Sequence, residues 1–97
     1  MIPNNVKVAG IEYRVKEKFG LEQQYGLLGQ VLYSLGEIEI DDRMTEDRKE
    51  QIFVHELLHA CFYEAGFEDQ DEDMINRVGK VLYQVLKDNA IKFSDDE

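Results

Sequence analysis

At 97 residues the chain has the length of one domain, and 43% hydrophobic residues with five Tyr and five Phe can build one modest core without disulfide staples. Eleven Lys and Arg stand against 21 Asp and Glu, a net charge of −10, which argues against non-specific binding to nucleic acid or to an anionic membrane and leaves a polypeptide partner. No apolar run is long enough to span a bilayer, and Met1-Ile2-Pro3-Asn4-Asn5 lacks the basic and hydrophobic regions of a signal peptide, so the expected location is the cytoplasm.

In chain order, Val6-Lys7-Val8 and Ile11-Glu12-Tyr13-Arg14-Val15 alternate apolar and charged residues around Ala9-Gly10, the pattern of a hairpin with one buried face. Residues 16–28 are irregular and punctuated by Gly20 and Gly26. They read as loop, with Leu21–Tyr25 a strand end or a short helical turn. Val31-Leu32-Tyr33 and Ile38-Glu39-Ile40 predict two further strands joined by a four-residue turn over Ser34-Leu35-Gly36-Glu37, or by a bulge at Gly36. The expectation for this half is a small antiparallel sheet, with Glu37–Asp41 at its edge. Two helices follow, giving an α+β class for a single domain over 1–97.

Thr45 can cap the first long helix, Glu46 and Asp47 suit the positive end of its dipole, and Gly66 can supply a left-handed stop after Ala65. The second starts near Asp71, carries Ile75, Val78, Leu82 and Val85 at helical spacing, and fades near Asp88-Asn89. The acids at 37–47, 64–73 and 94–97 read mostly as solvated loops and helix starts, and the tail after Phe93 as frayed. The lone Cys61 is expected to be a buried thiol turned away from the motif face.

The first long helix carries His55-Glu56-Leu57-Leu58-His59. Positions i and i+4 share a helix face, so the two imidazoles can chelate one Zn²⁺. Glu56, one step round the helix, is placed to act as a general base without ligating. Both histidines of the chain lie here, among apolar neighbours where an imidazole needs a partner. A catalytic zinc keeps three protein ligands and one open position, and with no third histidine the remaining ligand must be a carboxylate. At about 100° per residue, Glu72, Asn76, Gly79 and Tyr83 share a stripe of the second helix. That stripe makes Glu72 the expected third ligand, ahead of Asp69, Asp71 and Asp73. Asn76 is expected to support a ligating imidazole, and Gly79 to let the two helices approach closely.

With these residues in view, the chain resembles the gluzincin zinc metallopeptidases in their minimal single-domain form, the minigluzincins. The nearest group in character is the ImmA/IrrE-like metallopeptidases of bacteria and their mobile elements, some of which cut a repressor protein. In gluzincins the third ligand is a Glu on the helix after the motif helix, often followed four residues later by an Asp that supports a ligating His. Glu72 and Asn76 stand at those positions, and Asn for Asp is a departure that leaves the imidazole less basic.

The resemblance implies one Zn²⁺ per chain and hydrolysis of a peptide bond in an extended protein segment, in a bacterial or phage-infected cell. Glu56 takes a proton from a metal-activated water and returns it to the leaving amine. Tyr83, Tyr33 or Tyr63 is the available transition-state donor, with Tyr83 the leading candidate. The Glu37–Asp41 strand is expected to template the substrate by strand addition. A slow or latent monomer or weak oligomer fits so small a chain. The alternative from another class is a non-catalytic zinc-binding module whose acidic surface recognises a basic partner.

Overall fold

The computed structural model describes residues 1–93, so the expectations for the tail after Phe93 and the acids at 94–97 lie outside the described residues. A four-stranded mixed sheet is followed by two long helices, an α+β arrangement. The strands are β1 (Asn5–Val8), β2 (Ile11–Lys18), β3 (Gly29–Leu32) and β4 (Glu37–Asp41). The helices are α1 (Leu21–Tyr25), α2 (Glu46–Glu64) and α3 (Glu72–Asp88). Among the described residues, no helix is long and apolar enough to cross a membrane.

The β1–β2 hairpin turns at Ala9-Gly10, both in left-handed backbone (φ 52 and 80), and pairs Val6 with Tyr13 and Val8 with Ile11. The stretch that reads as loop in the sequence contains α1. Its short turn is held at its start by the Asp41 carboxylate, which accepts the Glu22 N–H at 3.1 Å. β3 and β4 form the second antiparallel pair, joined by a tight turn of 3-10 type at Tyr33–Leu35 and a left-handed Gly36 (φ 61).

The strand order β1-β2-β4-β3 corrects the expectation of a wholly antiparallel sheet. β4 inserts between β2 and β3 and runs parallel to β2, in a register that sets Arg14 opposite Glu37 and Lys16 opposite Glu39. Arg14 and Lys16 both reach the Glu37 carboxylate, at 2.9 and 3.1 Å, and Lys18 lies 3.9 Å from Glu39. Basic β2 and acidic β4 thus neutralise each other on one face, and such cross-strand pairs favour this register. β4 is therefore an interior strand, and the free edges are β1 and β3. The same pairing overturns the solvated reading of its acids, since Glu37, Glu39 and Asp41 are all buried.

On the opposite face Ile38 and Ile40 are fully buried with Tyr13, Val15, Phe53, Val54 and Ala60, the core between the sheet and α2. Thr45 caps α2 by accepting the Arg48 N–H at 3.3 Å. At the other end the Phe67 N–H reaches the Phe62 carbonyl, and the Gly66 N–H the Tyr63 carbonyl, each at 3.0 Å. That pair of bonds around a left-handed Gly66 (φ 100) is a Schellman stop, and Phe62 packs on Phe67 across it at 5.3 Å between centroids. Cys61 is exposed, not buried: it lies in the last turn of α2, one position after the buried Ala60.

Candidate metal centre

The centre lies where the middle of α2 meets the first turn of α3. Asp71 sets the start of α3 by accepting the Asp73 and Met74 N–H groups, at 2.9 and 3.3 Å, and Ile75, fully buried, anchors the same turn. This delivers Glu72 to the two histidines. Its Oε1 lies 2.9 Å from His55 Nε2, and its Oε2 lies 3.1 Å from His59 Nε2. One donor atom from each of the three side chains lies within 4.8 Å of the others. Asp71 is spent on the cap and Asp73 lies 3.6 Å from Arg77, so neither joins the cluster.

The donor set suits zinc. Two imidazole nitrogens and a carboxylate make the three-ligand arrangement that leaves a fourth position open, and Glu72 is exposed enough for that position to face solvent. Burial holds the His55 imidazole below its ordinary value, with the neighbouring Glu72 opposing, so the neutral ring needed for ligation is favoured.

Glu56 is buried beside these donors, its Oε2 4.0 Å from His55 Nε2. Burial pushes its carboxyl up to about 7, with Glu72 adding to the rise and His59 opposing it. A carboxyl poised near neutrality suits proton transfer in both directions.

The predicted support from Asn76 is not formed: among the described residues its side chain bonds to neither imidazole, and it lies instead along a cleft beside His55. The supporting residue is Gln70, in the connector before α3, whose Oε1 lies 2.6 Å from His59 Nδ1 and whose Nε2 donates to the Tyr33 hydroxyl at 3.4 Å. No periodicity marks a connector residue, so the only signal in the sequence was an amide two positions before Glu72.

The three tyrosines also separate. Tyr83, the leading donor candidate, gives its hydroxyl to Glu50 at 2.9 Å, which ties it to the far end of the α2–α3 seam. Tyr33 is tied to the centre through Gln70: burial raises its phenol, the Gln70 hydrogen bond opposes, and the charges of Glu56 and Glu72 add to the rise. Tyr63 stacks on Tyr33 with centroids 4.2 Å apart.

Gly79 is buried against α2, and a methyl group there would sit 3.9 Å from His55 Cα, an ordinary contact. The closer approach is at Gly29 of β3, where a methyl group would come within 2.6 Å of Ile52 Cγ2 and 3.1 Å of Glu56 Cγ. β3 therefore lies against the segment of α2 that bears Glu56. No protein-family model matches this chain, and neither the curated proteins nor the solved structures contain a significant match to it.

Proposed function

We propose that this protein is a zinc-dependent metalloendopeptidase of gluzincin type that hydrolyses a peptide bond in an extended segment of another protein, in the cytoplasm of a bacterial or phage-infected cell. The observation that carries the reading is the convergence of His55, His59 and Glu72 on one point, with the buried carboxyl of Glu56 beside it. Bound there, zinc supplies Lewis acidity for a carbonyl and acidifies a water.

Glu56 accepts the water's proton and passes it to the leaving amine, a task suited to a carboxyl near neutrality. Gln70 keeps His59 in the tautomer whose Nε2 is free to ligate. The donor role moves from Tyr83, whose hydroxyl is committed to Glu50, to Tyr33, whose hydroxyl is linked to His59 through Gln70. The templating role moves from β4 to β3, because only an edge strand has backbone groups to offer a substrate.

The test is metal content and peptide hydrolysis measured together. Purified protein is expected to carry about one zinc, lost in His55→Ala or His59→Ala, since each imidazole is a ligand. Glu56→Gln is expected to keep the zinc and lose hydrolysis. Zinc retained by the histidine variants, or hydrolysis by Glu56→Gln, refutes the reading. Zinc without hydrolysis of any peptide by the unaltered protein establishes the non-catalytic module in its place.

A further inference from the structure

A cleft of about 340 Å³ runs between α2 and α3 beside His55, and its walls hold two cations, Arg48 and Lys80. We infer that this cleft is a subsite for a carboxylate of the substrate, gripped by Arg48 and Lys80. The inference rests on the peptidase reading and names the class of peptide it selects.

Acids outnumber cations in this chain by 21 to 11, and about half of the cations are held by an acidic side chain. Arg14, Lys16, Lys18, Lys49, Arg77 and Lys87 each lie within 4.0 Å of an acidic side chain. Among the described residues Lys7, Arg43, Arg48, Lys80 and Lys92 do not, and of these five Arg48 and Lys80 line one cavity together, from opposite helices.

Arg48 stands two helical turns before His55 on one face of α2, and Lys80 follows the buried Gly79 that faces His55 from α3. Ile52 and Gly79 give the cleft an apolar lining that weakens competition from water, while the Asn76 amide, unused by the metal centre, stands ready as a further donor. Because His55 belongs both to the cleft wall and to the donor set, a side chain in the cleft belongs to a residue adjoining the scissile bond. The net charge of −10 repels such a group from the chain as a whole. The cleft is where it is drawn in.

The carboxylate has two sources, an Asp or Glu side chain or a free C-terminus, and one peptide set separates them. Alanine-rich peptides carrying a single glutamate, or glutamine or lysine at the same place, are made as free acids and as C-terminal amides. Binding to zinc-treated Glu56→Gln protein is followed by fluorescence anisotropy, and cleavage by the unaltered protein in parallel. Glutamate is expected to bind about five-fold more tightly than glutamine, and to lower KM to match, as two partly exposed ion pairs allow. In Arg48→Glu/Lys80→Glu the preference reverses towards lysine. Arg48→Gln/Lys80→Gln, which removes charge with little change of shape, abolishes it, with bound zinc and Tm reporting that each variant is folded. Discrimination of acid from amide alone assigns the cleft to a C-terminal carboxylate. Indifference of the folded protein to both substitutions overturns the inference even if every peptide is cleaved. Charge-selective binding with no cleavage upholds the subsite and removes the peptidase reading.

Discussion

The Nδ1 of His59 lies 2.6 Å from the Oε1 of Gln70, and this contact decides how the imidazole faces Glu72. An amide oxygen only accepts, so Nδ1 donates to it, and Nε2, 3.1 Å from Glu72 Oε2, is the nitrogen turned towards the His55–Glu72 side of the cluster. The connector before α3 thereby orients a side chain of α2.

Gln70→Leu is accordingly expected to weaken zinc binding by roughly 10- to 100-fold, the range for partners of metal-bound histidines. Asn76→Ala, at the position where the gluzincin resemblance places the supporting acid, is expected to change it far less. Competition against a chromophoric chelator measures both, and a larger loss in Asn76→Ala than in Gln70→Leu would falsify this assignment.

Glu50 gives the fold a pH dependence. Bonds from Lys87, the Met1 amine and Tyr83 hold its carboxyl down at about 2, well below the ordinary Glu value. A depressed carboxyl stabilises the fold above its unfolded pKa, about 4.3, and that contribution is lost as pH falls through the folded value. Between about pH 5 and pH 2 the unaltered protein is therefore expected to lose more Tm than Glu50→Gln. Parallel pH profiles for the two proteins would remove Glu50 from this role.

The two close-packed glycines differ in what they tolerate. Gly79→Ala is expected to stabilise the protein by up to about 1 kcal/mol, because alanine is the better helix former and its methyl group meets only His55 Cα at 3.9 Å. Gly29→Ala is expected to cost about 1–3 kcal/mol, by forcing β3 away from Ile52 and Glu56. Urea denaturation ranks them, and a greater loss for Gly79→Ala than for Gly29→Ala would contradict the packing described.

Asp41 is 1% exposed and accepts the Glu22 and Arg43 N–H groups, each at 3.1 Å. These bonds hold its carboxyl below the usual carboxylate range, the Glu22 N–H contributing most. Asp41→Ala leaves both N–H groups without an acceptor and is expected to lower Tm, whereas Asp41→Asn, which keeps one oxygen, lowers it less. Faster hydrogen exchange at Glu22 and Arg43 in Asp41→Ala locates the loss, and unchanged exchange there would dissociate Asp41 from α1.

The limits of α2 and α3 and the shared face of His55 and His59 are local properties. Caps at Thr45 and Asp71, a left-handed Gly66 and the i, i+4 spacing depend on residues within a turn or two, so the sequence alone determined them. Alternation in Glu37–Asp41 likewise determined which side chains share a face, but a period of two says nothing about which strand lies alongside. The parallel pairing with β2 was decided by long-range packing of Ile38 and Ile40 and by the opposed charges of the two strands. Only the tertiary structure decided that β3 is the edge strand, that Gln70 and not Asn76 meets an imidazole, and that Arg48 and Lys80 face one cleft. Each of these depends on how helices and connectors cross in space, and no periodicity along the chain encodes that.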